Sequence, residues 1–431
     1  MEEKKQILKE ILSKAKETEN VGELKKQIMS VFDKIDPIEI SFVEQDLMKE
    51  GITWRDIYKM CDVHFELVKD IIIPKKELRE LPEGHPLQLL IWENTEILKD
   101  NEKLAVMFRV VNEDETAKKD ILEYLDKLYI GLKKHYMKNQ FLIFPYLEKR
   151  GVTAISRVLW MKEDMLLAKM KKLKAKIITK TNESEFPEEL IIEGNSVVNE
   201  IRDIVSREHN ILYPTMHSLM SEGEWLAVLK EMDKFGFYKK PHQKGRWKPR
   251  GTEPIYPYML TREDLMKAKE KKDLPREALK LIEMAEPDDH KLVRDGDIEF
   301  EYGYLNSEEI QAIFDTLPFE VTYIDIEKRT RFFNNPEDMR LFVRTKTILG
   351  RPVKLCHPPK SEELVEQVIE KLQNGEKKVD FWINFMGRTV YISFVPVRNK
   401  QGELKGILEI VQDITEIKKI KGEKRTLKDQ I

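Results

Sequence analysis

Four helical stretches in the middle of this chain each set one side chain of metal-ligand type into an otherwise apolar stripe. His85 opens the first, which runs on through Leu89 and Trp92. The second covers about 114–140 and aligns Ile121, Leu125, Leu128, Leu132 and His135. The third starts at Ser156 and aligns Leu159, Glu163, Leu166 and Met170; the fourth follows Pro187 and aligns Val197, Ile201, Ile204, Glu208 and Ile211. Spacings of three and four define one face of a helix. An ionisable group in such a face costs several kcal/mol unless it is paired or bound. Two imidazoles and two carboxylates converging from four helices are what a divalent metal needs, and four-helix bundles build metal sites this way. The same four residues could form a metal-free network, a glutamate paired with a protonated histidine. Without a metal, two neighbouring glutamates repel and one should hold a proton.

The rest of the chain is organised around that bundle. With 431 residues it is too long for one ordinary core. Residues 1–78 read as a small helical module, with Pro37 at a helix start and Gly51 as a break. The bundle occupies 79–238. Residues 239–290 contain KKPHQKGRWKPRGTEPIYPY, basic and proline-rich without periodicity, and read as a solvated linker with helices after it. Residues 291–418 change to alternating apolar patterns in FEVTYIDI, RTRFFNN, FWINF, TVYISFVPVRN and KGILEIVQDI, with helices expected around 336–346 and 361–373. An antiparallel sheet with helices across one face accounts for this, and 419–431 form a charged tail. The expected class is multidomain and mainly α, closing with an α+β domain.

Charge and cysteine content exclude several function classes. The formal net charge is -3, so no global basic field points to nucleic acid. Two cysteines, Cys61 and Cys356, allow at most one bridge, as expected in a reducing cytosol. MEEKKQILKEILSKAK has no apolar signal core, and no run reaches membrane-span length, so a cytoplasmic protein without a transmembrane segment is expected.

Several blocks carry a family resemblance. GHPLQLLIWENTEIL, HYMKNQFLIFPYLEKRGV, VLWMKEDM and REHNILYPTMHSLMSEGEW resemble the hemerythrin-like (HHE cation-binding) domain. DPIEISFVEQDLMKEGITWRDIYKMCDVHFELVK resembles the domain of unknown function 438 that accompanies it. The resemblance implies a four-helix bundle binding iron, mono- or dinuclear, or zinc, with His85, His135, Glu163 and Glu208 as ligands. The chain departs from the family at Asn139, where a glutamate usually follows His135 by four residues, and at Glu163 and Gln88, where histidines are usual. The resemblance therefore implies a single metal or a reduced site as readily as a di-iron centre. Tyr136 and Glu148 are assigned to packing and surface.

Two further groups merit testing. Cys61 and His64 lie three apart on one helix face, half of a zinc site or a redox pair, or else a buried cysteine beside an interface histidine. The stretch from LPFEVTYIDIEKRTRFF to GILEIVQDIT resembles a PAS domain, a sensory and dimerising module whose cavity holds haem, flavin or a small metabolite. There His357 could ligate haem, Cys356 could sense redox state, and Arg344 and Arg351 could grip an acidic ligand; a structured turn capped by Ser361 and surface salt bridges are the alternatives. The function implied is a metal-dependent sensor or adaptor for oxygen, nitric oxide or redox state. It would act as a PAS homodimer on a signalling protein. A non-haem iron enzyme and a metal-free interaction scaffold are the alternatives.

Overall fold

The computed structural model describes residues 7, 10, 21–32, 34–72, 76–180, 186–266, 287–336, 341–358 and 361–425. The chain divides into two compact units, Met1–Lys291 and Leu292–Ile431.

The first unit is helical. Helices α1 (Val21–Val31), α2 (Pro37–Lys49) and α3 (Trp54–Val68) form the leading module. Asp36 and Thr53 start the latter two as capping boxes with Glu39 and Asp56, and Pro37 occupies the first turn of α2. The bundle follows as α4 (Pro86–Val110), α5 (Glu115–Lys138), α7 (Ala154–Thr179) and α8 (Glu188–Arg207), with short α6 (Phe144–Lys149) after α5 and α9 (Tyr213–Leu219) after α8. Two π-helical segments, Asn139–Ile143 and Glu208–Leu212, join α5 to α6 and α8 to α9. A proline, Pro145 or Pro214, sits early in the helix after each. The last elements here are α10 (Glu222–Glu231) and α11 (Arg262–Met266).

The bundle interior is not one hydrophobic core but two. Leu87 and Leu90 of α4, Leu142 and Ile143, Val158 and Leu159 of α7, and Ile211 and Leu212 share a core with Ile38, Val43, Leu47, Ile57 and Phe65 of the leading module. Ile97 and Leu104 of α4, Leu128 and Leu132 of α5, Leu166 and Met170 of α7, and Ile201 and Ile204 of α8 form the other. α4 and α7 pass from one to the other, and α5 and α8 reach the first through the π segments that follow them, so the leading module packs on one end of the bundle. Ser41 Oγ lies 3.3 Å from Thr215 Oγ1, and Gln45 Oε1 accepts from the backbone N of Thr153 and Ala154 at 2.8 and 3.0 Å.

The stretch expected to be a solvated linker needs correction. Trp247, Leu260 and Leu265 are buried in the first core, Ile255 N donates to Gly223 O at 2.9 Å, and Tyr146 Oη donates to Ile255 O at 2.8 Å. Residues 239–266 are a strap laid on the bundle. Its apolar residues are spaced for extended chain, so helical periodicity could not reveal them. Residues 267–286, where further helix was expected, lie outside the described ones.

The second unit begins with a hairpin of β1 (Ile298–Phe300) and β2 (Gly303–Leu305), followed by α12 (Ser307–Thr316). Strands β3 (Glu320–Asp325), β4 (Thr330–Phe333), β5 (Val379–Phe385), β6 (Arg388–Arg398) and β7 (Leu404–Asp413) form an antiparallel sheet in the order β4-β3-β7-β6-β5. Val368, Ile369 and Leu372 of α13 (Glu362–Gln373) pack on Ile324 and Ile407. Met386 and Gly387, with φ of 50° and 76°, turn β5 into β6 in the primed geometry that hairpins favour. Residues 341–345 are not helical, unlike the expectation for 336–346, and 337–340 lie outside the described residues. Among the described residues no helix is long and apolar enough to cross a membrane.

Candidate functional site

Between the two cores of the bundle runs one polar layer. Glu93 and Asn94 on α4, His135 and Lys138 on α5, Asn139 at the start of the first π segment, Glu163 on α7 and Glu208 at the start of the second are all fully buried. Each falls where its apolar stripe is interrupted. Both π segments open on a layer residue, in keeping with the association of such segments with functional sites.

His135 is the centre. Its Nδ1 lies 3.0 Å from Glu93 Oε2 and its Nε2 lies 3.1 Å from Glu208 Oε2. Burial alone would lower the pKa of this imidazole, but the Glu208 and Glu93 carboxylates outweigh it and hold the ring up at about 9, so it is an imidazolium donating from both nitrogens. Glu93 Oε1 accepts from Lys138 Nζ at 3.0 Å and from Tyr238 N at 2.7 Å. Against burial, His135 first and then Lys138 and Tyr238 N hold the Glu93 carboxyl below its ordinary value. Lys138 Nζ also donates to Gly236 O at 2.7 Å. Glu208 is saturated: Oε1 accepts from Asn139 Nδ2 at 2.8 Å, and Oε2 from Asn94 Nδ2 at 2.5 Å and from Tyr213 Oη at 3.2 Å, besides His135. Glu163 differs. Its Oε2 accepts from Gln140 Nε2 at 2.7 Å, while Oε1 has no partner. Burial, and then the charge of Glu208, push its carboxyl well above the usual range, so it holds a proton.

Of the four predicted ligands, the structure brings His135 and Glu208 into contact and sets Glu163 in the same layer. His85 stands apart. It is the N-cap of α4, eight residues before Glu93, or about 12 Å along the helix at 1.5 Å per residue. Its Nδ1 accepts from Leu87 N at 3.1 Å, which leaves the proton of the neutral ring on Nε2 and no lone pair for a metal. Gln88 Oε1 accepts from Gly84 N. Tyr136 is buried beside His135, with its hydroxyl unpartnered, and Glu148 is exposed. Sequence reasoning missed Glu93, Asn94, Lys138, Gln140 and Tyr213. Glu93 was detectable, since it continues the stripe of Leu89 and Leu90 toward Ile97.

The donor set does not fit a metal ion of the kind the family resemblance implies. A ligating histidine gives one nitrogen to the metal and the other to an outer partner; Glu93 on Nδ1 fits the outer role, and Nε2 is engaged by Glu208. Glu208 already accepts four hydrogen bonds, and Lys138 Nζ, its pKa lowered by burial, pairs with Glu93 in the same layer. Among the described residues no group of three or more His, Cys, Asp or Glu side chains could hold a metal ion. The arrangement is a network in which His135 and Lys138 pair with carboxylates, while Glu163 Oε1 and Asn94 Oδ1 are buried without partners.

The other predicted residues occupy quieter places. His64 is buried with Nδ1 3.4 Å from Glu44 Oε1, and the side chain of Cys61 lies outside the described ones. In the second unit Arg344 donates to Glu409 Oε2 at 3.2 Å and to Thr322 Oγ1 at 3.4 Å. Arg351 is exposed. Cys356 is a free thiol, half-buried, with Sγ 3.8 Å from Pro352 O, and His357 Nδ1 donates to Val353 O at 2.8 Å, holding the turn. Ser361 precedes α13 without a side-chain cap bond.

Comparison with known proteins places three family models on the chain. A family of unknown function (DUF438) matches residues 8–73, a hemerythrin HHE cation binding domain matches 93–216, and a PAS domain matches 310–415. Among solved structures, the C-terminal domain of a Streptococcus mutans protein is 36% identical, over 28% of this chain and 96% of that one, with a TM-score of 0.27. The PAS domain of a Colwellia psychrerythraea protein is 20% identical, over 25% of this chain and 97% of that one, with a TM-score of 0.21. The PAS domain of Bordetella pertussis BvgS is 24% identical, over 26% and 88%, with a TM-score of 0.22. Among curated proteins nothing matches.

Proposed function

We propose that this chain, which joins in order a DUF438 module, a hemerythrin HHE cation binding domain and a PAS domain, is a signalling adaptor whose bundle works without a metal. Hemerythrin-like and PAS domains together support a sensory or signalling role. Hemerythrin-like domains bind metal ions, usually iron. The observation that carries the metal-free reading is the double engagement of His135, with Glu93 on one nitrogen and Glu208 on the other. Lys138, its pKa lowered by burial, pairs with Glu93 within the layer. In this reading the bundle is a rigid scaffold. The signal leaves through a partner protein or a PAS homodimer, for which Trp382 and Met386, 72% and 85% exposed on β5 and its turn, supply apolar surface.

One observation favours the other reading, iron or zinc with a diatomic gas as the signal. Glu163 Oε1, Asn94 Oδ1 and Tyr136 Oη are buried without partners. Metal analysis separates the two. After anaerobic reconstitution with Fe(II) or Zn(II), the purified chain should hold fewer than about 0.2 equivalents. One equivalent or more, lost on His135→Ala, would establish the metal reading and remove ours.

A further inference from the structure

His85, the predicted ligand that lies outside the polar layer, belongs to a second site. It is 6% exposed, and burial, with His217 nearby, takes its pKa down to about 3, so the ring is neutral. With Nδ1 bonded to Leu87 N, the proton sits on Nε2, and no described group accepts from it. The ring centroid lies 5.1 Å from that of Trp225 and 4.7 Å from that of Trp247. These three side chains, with Pro82, His217 and Glu222, line a cavity of about 430 Å³. That size and an apolar wall with few polar groups are usual for small-molecule sites.

The cavity depends on the strap. Gly84 has φ +86°, and a Cβ there would stand 2.4 Å from Gln243 O and 2.9 Å from Trp247 N. A Cβ on Gly223 would stand 2.8 Å from Glu253 O. Two glycines thus admit the strap on either side of Trp247, seating an indole that the polar layer does not use.

The chemistry of the wall selects the occupant. Indole faces favour flat rings. His85 Nε2 offers one donor, and the exposed carboxylate of Glu222 offers an acceptor. An anion would meet Glu222. A cation could pair with Glu222 and the indole faces but would leave the N–H of His85 unmet, and a metal would find no lone pair on that nitrogen. A neutral ring with a carbonyl beside a ring N–H satisfies both groups. We propose that this cavity binds a planar lactam heterocycle of the purinone, pteridinone or flavin type, stacked on the tryptophans, with His85 Nε2 donating to its carbonyl and Glu222 accepting from its N–H.

The test is calorimetric titration of the full chain near pH 7 with hypoxanthine, lumazine and riboflavin, with adenine and tetramethylammonium as comparators. At least one lactam should bind at least about tenfold more tightly than adenine, which lacks the carbonyl. His85→Asn keeps an acceptor for Leu87 N but, being shorter, leaves no donor at the Nε2 position, and should weaken that binding about tenfold. Glu222→Ala alters an exposed residue and should weaken it several-fold with the melting temperature unchanged, so it decides the matter if His85→Asn does not fold. The proposal is overturned if no lactam saturates below about 5 mM, if adenine or tetramethylammonium binds as tightly, or if the folded variants bind like the parent chain.

Discussion

Glu163 and Glu208 are both fully buried carboxyls, but they differ in character. Glu208 accepts four hydrogen bonds, one from an imidazolium; Glu163 accepts one and keeps its proton. Glu163→Gln should therefore be neutral to stabilising in a urea denaturation experiment near pH 7, since it removes the cost of protonating a group that is ionised in the unfolded chain. Glu208→Gln sets an amide NH2 among donors and strands His135, and should cost about 3–5 kcal/mol. Equal costs would show that Glu163 carries charge. The pH profile follows from the same groups. His135 is raised, so its contribution is complete below the ordinary histidine value of about 6.5 and is lost as pH rises through about 9. Glu93 is lowered, so its contribution is complete above about 4.5 and is lost as pH falls. Glu163, being raised, also loses stability with rising pH, so His135→Gln is best compared in the Glu163→Gln background, where the alkaline decline should disappear. His135, Glu163 and Glu208 were legible in the sequence because an ionisable residue on an apolar stripe is conspicuous. Lys138 was not, because a lysine on a helix otherwise rich in exposed lysines looks solvated; its partners Glu93 and Gly236 lie 45 and 98 residues away.

Helices and turns were readable from period and capping, and the strap and the π segments were not. A π segment closes its hydrogen bonds from residue i+5 back to residue i, which brings those two residues closer to one face than an α-helix would. Tyr213 N donates to Glu208 O in this way, and so the Tyr213 hydroxyl reaches the Glu208 carboxylate. In an α-helix of the same length those two residues would diverge, so the π segment is what sets Tyr213 over Glu208. Tyr213→Phe, which loses only the hydroxyl, should cost roughly 1 kcal/mol in urea denaturation. No loss would mean the hydroxyl adds nothing to the layer. No one-residue widening announces itself in hydrophobic period, since the stripe resumes at Ile211 and Leu212 as if uninterrupted. For the strap, Gly84→Ala forces a Cβ against backbone and a left-handed φ. Limited proteolysis should then cut within 240–250 faster than in the parent chain.

At the scale of the molecule, the two compact units should melt as separate transitions in calorimetry, because each has its own core. Removing residues 1–78 strips Ile38, Val43, Leu47 and Phe65 from a shared core and uncovers Val158, Leu159 and Ile211. The shortened chain should bind a hydrophobic dye strongly or precipitate; an unchanged melting temperature would refute the shared core. The polar layer has one more consequence, for alignment. Leucine and isoleucine on either side of it are nearly interchangeable, and a helix of such residues could slide by a turn at small cost. With Glu93, His135, Glu163 and Glu208 at one level, sliding any single helix would carry a charged or proton-bearing group into hydrocarbon and leave its partners behind. The layer is a pin through four rods, and the bundle has one vernier setting where an all-apolar interior would have several.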